Sequence, residues 1–133
     1  MRTSDQLPAR TFRVRRADLV RYAGASGDFN PIHWSDRVAT SVGLPGVIAH
    51  GMYTMALVAR AVTDWAGDPA AVLDMSVRFA RPVVVPDDDE GAAVVVSAKV
   101  RSAGDGRAEL DLSAVCGSDK VISLARATIR LSG

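Results

Sequence analysis

A chain of 133 residues with 16 Lys and Arg against 15 Asp and Glu has the size of one domain and almost no net charge, which argues against the dense basic surface that nucleic acid requires. Its single cysteine, Cys116, excludes an intrachain disulfide and the paired-cysteine zinc patterns, and suits a reducing cytoplasm. No stretch approaches the roughly 18 apolar residues of a membrane span, and residues 1–10 lack the apolar centre of a secretion signal, so we expect one cytoplasmic domain over 1–133 with no membrane role.

Thr11 to Arg15 alternates polar and apolar side chains and predicts a short strand. Ala17 to Ala25 has helix-forming composition with Asp18 near its start, and Gly24 and Gly27 are expected to break it. From Gly27 to His33 the residues are turn formers, and Pro31 biases Asn30 away from helical backbone. Trp34 to Val42 predicts a short helix ended by the Gly43 to Gly46 cluster around Pro45. His50 to Trp65 is the longest helical candidate, apolar around much of its circumference through Met52, Met55, Ala56, Ala59, Ala61 and Val62, and therefore expected inside the fold. Beyond Asp68-Pro69 come four strand-like runs, near Val72 to Val84, Ala92 to Val100, Ala108 to Val115 and Val121 to Leu131. Turn chemistry at 86–89, 104–106 and 117–119 predicts an antiparallel meander. The class is α+β, with the long helix across the concave face of the sheet.

Both histidines of the chain, His33 and His50, fall in the two Gly-containing breaker segments that bracket the short helix. The first segment also carries Asp28, so a carboxylate and an imidazole share one proline-stiffened loop with room for a water between them. Ordinary pKa values of about 3.9 and 6.5 make such a pair a workable acid–base couple near neutrality. Taken alone, the spacing is equally compatible with Asp28 or Asn30 capping a helix begun by Pro31 and with His33 as a packed residue.

The whole string, from Tyr22 through Gly27-Asp28-Phe29-Asn30-Pro31-Ile32-His33 to Ala39, resembles the hydratase motif of MaoC-like proteins. That motif runs from an aromatic residue through Gly-Asp-x-Asn-Pro-aliphatic-His to a small residue further on. Ile48-Ala49-His50-Gly51-Met52 is similar to the Ala-His-Gly start of the family's central helix, and Ser76 to Val83 to the strand after that helix. Asp87 stands where the family often has Gly. The resemblance covers about Leu7 to Leu131 and is strongest to the catalytic subunits of actinobacterial (3R)-hydroxyacyl-carrier-protein dehydratases.

What it implies is a hot-dog fold paired with itself or with a related hot-dog subunit. The implied reaction is reversible hydration of a trans-2-enoyl thioester, carried by coenzyme A or a carrier protein, to the (3R)-3-hydroxyacyl thioester, with no cofactor. Asp28 and His33 would hold and polarise one water, and Asn30 would orient the loop or that water. The backbone N–H of Gly51, at a helix N-terminus, would stabilise the enolate-like charge. Two other functions fit the same fold: a thioesterase directing water at the carbonyl, against which the intact motif argues, and a non-catalytic acyl-binding subunit, expected to lack the Asp–His pair. Asp87 to Glu90 reads as a solvated turn, Cys116 as a buried strand residue, Arg78 and Arg81 as surface groups, and Trp34 and Trp65 as packing residues.

Overall fold

A computed structural model describes residues 1–132. In chain order these form β1 (Arg10–Val14), α1 (Arg16–Ser26), a 3-10 turn (Pro31–His33), α2 (Asp36–Ser41), α3 (Gly51–Ala66) and a second 3-10 turn (Pro69–Ala71). Five strands follow: β2 (Val72–Phe79), β3 (Ala92–Gly104), β4 (Arg107–Cys116), β5 (Asp119–Lys120) and β6 (Ile122–Arg130).

The strands pair antiparallel in the order β1-β3-β4-β6-β2, with the short β5 paired to β4. Period-two burial sets the register: Val94, Val96, Ala98 and Val100 of β3 and Ala108, Leu110, Leu112 and Ala114 of β4 all turn inward. In β6 the buried parity switches between Ile122 and Ala125 because Leu124, at φ 47°, is an extra residue opposite the register shift in β2. The β3–β4 hairpin closes through Asp105 and Gly106, both at positive φ, the two-residue turn that matches strand twist.

Helix α3 buries Thr54, Leu57, Val58, Ala61 and Val62, a stripe at helical spacing that joins the inward residues of the sheet in one apolar cluster. Each fully buried Val or Leu in that cluster contributes roughly 1.5–3 kcal/mol. The helix ends at Gly67, left-handed at φ 77°, whose N–H returns to the Thr63 carbonyl.

Four expectations need correction. Helix α3 is one-sided: Met52 and Ala56, counted as interior from composition, are exposed in the single chain. The run from Val72 to Val84 is not one strand, because beyond Phe79 the chain leaves the sheet and Val83–Val85 pair instead with Val47–Ala49. The connection through 86–89 is accordingly not a meander turn but a crossover that carries the chain from the β2 edge to β3, beside β1. At the N-terminal side, α1 continues through Gly24 to Ser26 and stops at Gly27, which adopts φ 77°.

Candidate active site

Three features shape the loop from Asp28 to His33. The Asn30 carboxamide oxygen accepts the Ile32 N–H (3.2 Å) and caps the 3-10 turn, Asp28 Oδ1 accepts the Asn30 N–H (3.2 Å), and the Trp34 indole N–H reaches back to the Phe29 carbonyl (3.0 Å). Asn30 therefore acts on the loop, as a cap. Trp34, expected to pack, is instead exposed and closes the loop by that bond, whereas Trp65 packs at the core margin and donates to Pro8.

The second half of the site hangs on an extended segment. Val85 N donates to Val47 O and Ala49 N to Val83 O, each at 2.9 Å, and Ile48 N donates to Ile32 O at 3.2 Å. The segment thus ties the start of α3 both to the crossover and to the Asp28–His33 loop. The Arg16–Asp36 ion pair (2.9 Å) braces it further, since the same Asp36 oxygen accepts the Val47 N–H (3.1 Å). That guanidinium bond, with the Val47 amide, holds the Asp36 carboxyl below its ordinary pKa.

His33 is buried, and its Nδ1 lies 2.7 Å from the Ile48 carbonyl. A carbonyl only accepts, so Nδ1 carries a proton, and in the neutral ring Nε2 presents its lone pair. That Nε2 faces Asp28 Oδ2 at 3.9 Å, with the Asp28 side chain 51% exposed. A carboxylate and an imidazole lone pair cannot bond to each other. One water donating a hydrogen to each spans roughly 4.5 Å between them, which the half-exposed carboxylate reaches with a small rotation.

Sequence reading gave His50 no role beyond its place in the Ala-His-Gly segment, and the structure packs it against both Asp28 and His33. It is 2% exposed, its ring stacks on His33 with centroids 3.8 Å apart at 22°, and its Nε2 lies 3.1 Å from the Asp28 carbonyl. Tyr22, the aromatic residue of the motif, packs edge-on against it at 4.8 Å and then against Tyr53 at 5.4 Å. Burial lowers the His50 pKa, partly opposed by the bond to Asp28 and reinforced by the neighbouring His33.

Gly51 is the first residue of α3, is exposed, and has no acceptor for its N–H among the described residues. A side chain there would meet the Phe79 ring at 3.2 and 3.3 Å. Gly51 and Phe79, with Ile48, Ala49, Thr54 and Pro82, line a cleft of about 290 Å³. Phe79 had no sequence signal beyond its place in the strand. Asp28, His33 and Gly51 are thus brought to one end of α3, with Asn30 behind them. Arg81 lines the cleft, while Arg78 is exposed on β2.

Asp28, His33 and His50 are the one group among the described residues whose ligand-type atoms lie within 4.8 Å of each other. The two imidazoles are stacked, however, so their lone pairs run in nearly parallel planes and one ion cannot lie in both. Among the described residues no helix is long and apolar enough to cross a membrane. Cys116 is half-buried, and burial raises its thiol pKa, which removes it as a nucleophile.

Residues 2–114 match the MaoC like domain, and the chain belongs to that family. It is 47% identical over 79 residues to 3-hydroxyacyl-thioester dehydratase X of Mycobacterium tuberculosis, an alignment covering 59% of this chain and 27% of that protein. To 3-hydroxybutyryl-CoA dehydratase of Methylorubrum extorquens it is 33% identical over 75 residues, 56% of this chain and 48% of the relative. Among solved structures, a MaoC-like dehydratase superposes over 99% of this chain and 41% of its own, with a TM-score of 0.95 and 40% identity. An (R)-hydratase from A. caviae involved in PHA biosynthesis superposes over 99% and 98%, with a TM-score of 0.84 at 21% identity. The fold is the hot-dog fold. The chain spans less than half the length of the first three of these relatives.

Proposed function

We propose that this chain is a hydro-lyase that adds water to, or removes it from, the C2–C3 bond of an acyl thioester. The observation that carries the reading is the pair of facing acceptors, Asp28 Oδ2 and His33 Nε2, 3.9 Å apart. His33 is fixed in the required tautomer by Ile48, and a helix-start N–H lies free at Gly51. In hydration, one of the two acceptors takes a proton from the shared water as its oxygen bonds to C3. The other accepts the hydrogen that stays on that oxygen. Charge moves to the thioester oxygen, where the Gly51 N–H and the positive end of α3 stabilise it. The held proton then passes to C2, and dehydration is the reverse. Asn30 keeps the loop in shape. No cofactor enters these steps.

The names of the relatives, thioester dehydratases in both sequence comparisons, support this reading, and crotonyl-coenzyme A tests it. Loss of enoyl absorbance without free thiol is the expected result. Thiol release would make the protein a thioesterase, and turnover of neither crotonyl-coenzyme A nor longer enoyl thioesters would leave it an acyl-binding subunit.

The partner in this reading is a second hot-dog unit, either another copy or a related chain. Strand β2 forms one edge of the sheet, and Leu73 and Phe79 on it and Met52 on α3 are exposed apolar side chains, Met52 to 59%. Sedimentation of the purified chain at micromolar concentration should give at least a dimer, and a monomer would point to a hetero-partner.

A further inference from the structure

His50 is a buried imidazole for which the acid–base scheme has no use. Its Nε2 faces a carbonyl, that of Asp28 at 3.1 Å, so Nε2 carries the proton and donates. Its Nδ1 is buried with no hydrogen-bond partner among the described residues. A Phe or Leu at this position would bring no such nitrogen. The two contacts of this imidazole reach one to each half of the dyad: the N–H to the backbone of Asp28 and the ring face to His33.

We propose that His50 is a positioning residue that stays neutral and holds Asp28 and His33 in register. The N–H fixes the carbonyl of the very residue whose carboxylate must meet the water. The flat face blocks rotation of the His33 ring out of the plane that its bond to Ile48 defines. Tyr22 meets the His50 ring edge-on, so Tyr53, Tyr22, His50 and His33 form a continuous chain of aromatic contacts, edge-on except for the stacked histidines. The titratable groups facing His50 are Asp28 and His33 from the loop and Tyr22 from α1, with Tyr53 one contact further on its own helix. A second proton on His50 would put charge on Nδ1, where no described residue accepts it, and against His33. Neutrality therefore belongs to the arrangement.

This inference rests on the hydro-lyase reading for its kinetic consequence but not for its structural one, and the experiment separates the two. The chain has only two histidines, so the ring nitrogens in an NMR spectrum are assigned by replacing one of them. At neutral pH His50 should appear as the neutral Nε2–H form, whether or not any thioester is turned over. A protonated ring or the Nδ1–H form would overturn the proposal. Two variants then divide the contacts: His50→Phe keeps a flat ring and loses the donor, and His50→Gln keeps an amide donor and loses the ring. On crotonyl-coenzyme A, His50→Phe should lower kcat about tenfold, the scale of one hydrogen bond lost, with KM changed less than about threefold. His50→Gln, which loses the ring face that blocks rotation of His33, should lower kcat by a similar factor. Wild-type kcat in either variant would refute the positioning role. Should His50→Phe fail to fold, a His50→Gln kcat at the wild-type value would do so. If the wild type turns over no thioester, the hydro-lyase reading fails. The tautomer result still decides what His50 does to Asp28.

Discussion

Replacing Asp28 and His33 singly and together tests whether the two groups act on one water. Asp28→Asn is a clean perturbation, because the carboxamide keeps an oxygen for the Asn30 N–H (3.2 Å) while the charge facing His33 is removed. The side chain is half exposed and outside the apolar cluster, so unfolding free energy should change by less than about 1 kcal/mol. His33→Ala also removes the 2.7 Å bond to Ile48 and empties a buried position, so a stability loss of about 1–3 kcal/mol accompanies it. Each variant loses a general acid–base group, about 10² to 10⁴ in kcat, or about 2.7–5.5 kcal/mol of barrier. If both groups serve the same water, removing the second after the first costs little. The double variant should then lie within about tenfold of the slower single one. The assay is the disappearance of enoyl-thioester absorbance, with chromatography of product for the slow variants and circular dichroism to confirm the fold. A double variant that falls by the product of the two single losses would show two independent roles, and single variants within about threefold of wild type would remove the dyad altogether.

Three other predictions follow from particular contacts. Gly51→Val should reduce kcat by about 10² to 10³ by filling the cleft at the thioester oxygen, yet leave the fold intact because the Phe79 ring it meets at 3.2 Å is 48% exposed and can swing aside; wild-type kcat would take Gly51 out of the mechanism. Gly91→Ala should cost more than about 2 kcal/mol in chemical unfolding, since Gly91 sits at φ 67° and an added Cβ would collide with the Val14 carbonyl at the β1–β3 junction; a loss below about 0.5 kcal/mol would mean that this junction yields. The lowered pKa of His50 makes the unfolded chain bind more protons than the folded one below about pH 6.5, so stability should rise with pH through that window and fall on acidification. His50→Gln should show a shallower acid loss between about pH 7 and 5 in urea unfolding, and an unchanged slope would refute the assignment.

The Asp28–His33 loop was legible because its geometry is local. Asp28, Asn30 and His33 lie on one turn whose shape is set by Pro31 and by bonds between near neighbours, so the string itself carries the geometry. The same holds for the β3–β4 hairpin at Asp105-Gly106. What composition could not convey was pairing at a distance. Residues 72–84 read as one strand because apolar side chains recur from Val72 to Val84, although Pro82 interrupts the run. The break after Phe79 follows from Val83 and Val85 finding partners at Ala49 and Val47, which no local pattern announces. The exposed face of α3 was misjudged for a related reason: Met52 and Ala56 look like core residues, and only the sheet's position shows which stripe is covered. His50 was visible as the second of two histidines, but its stacking on His33 and its bond to Asp28 arise only when the two breaker segments cross.

That crossing explains why the site needs both segments and why neither is held by a regular element. Ile48 is the hinge between them: its N–H is given to Ile32 just before His33, and its carbonyl accepts the hydrogen bond from His33 Nδ1–H. The same short segment leads within three residues to Gly51, so the proposed acid–base pair and the proposed oxyanion donor share one backbone support. A shift of the Val47–Ala49 segment would move His33 and Gly51 together and keep their spacing. A shift of the Asp28 loop alone would open the dyad while leaving the Gly51 N–H in place. The bracing reflects that difference. The shared segment is tied by backbone pairing to Val83–Val85 and by Arg16–Asp36, whereas Asp28 has its carbonyl bonded to His50 and its carboxylate half exposed. Freedom is thus confined to the carboxylate, the one group that in the proposed reaction must close on a water and let it go.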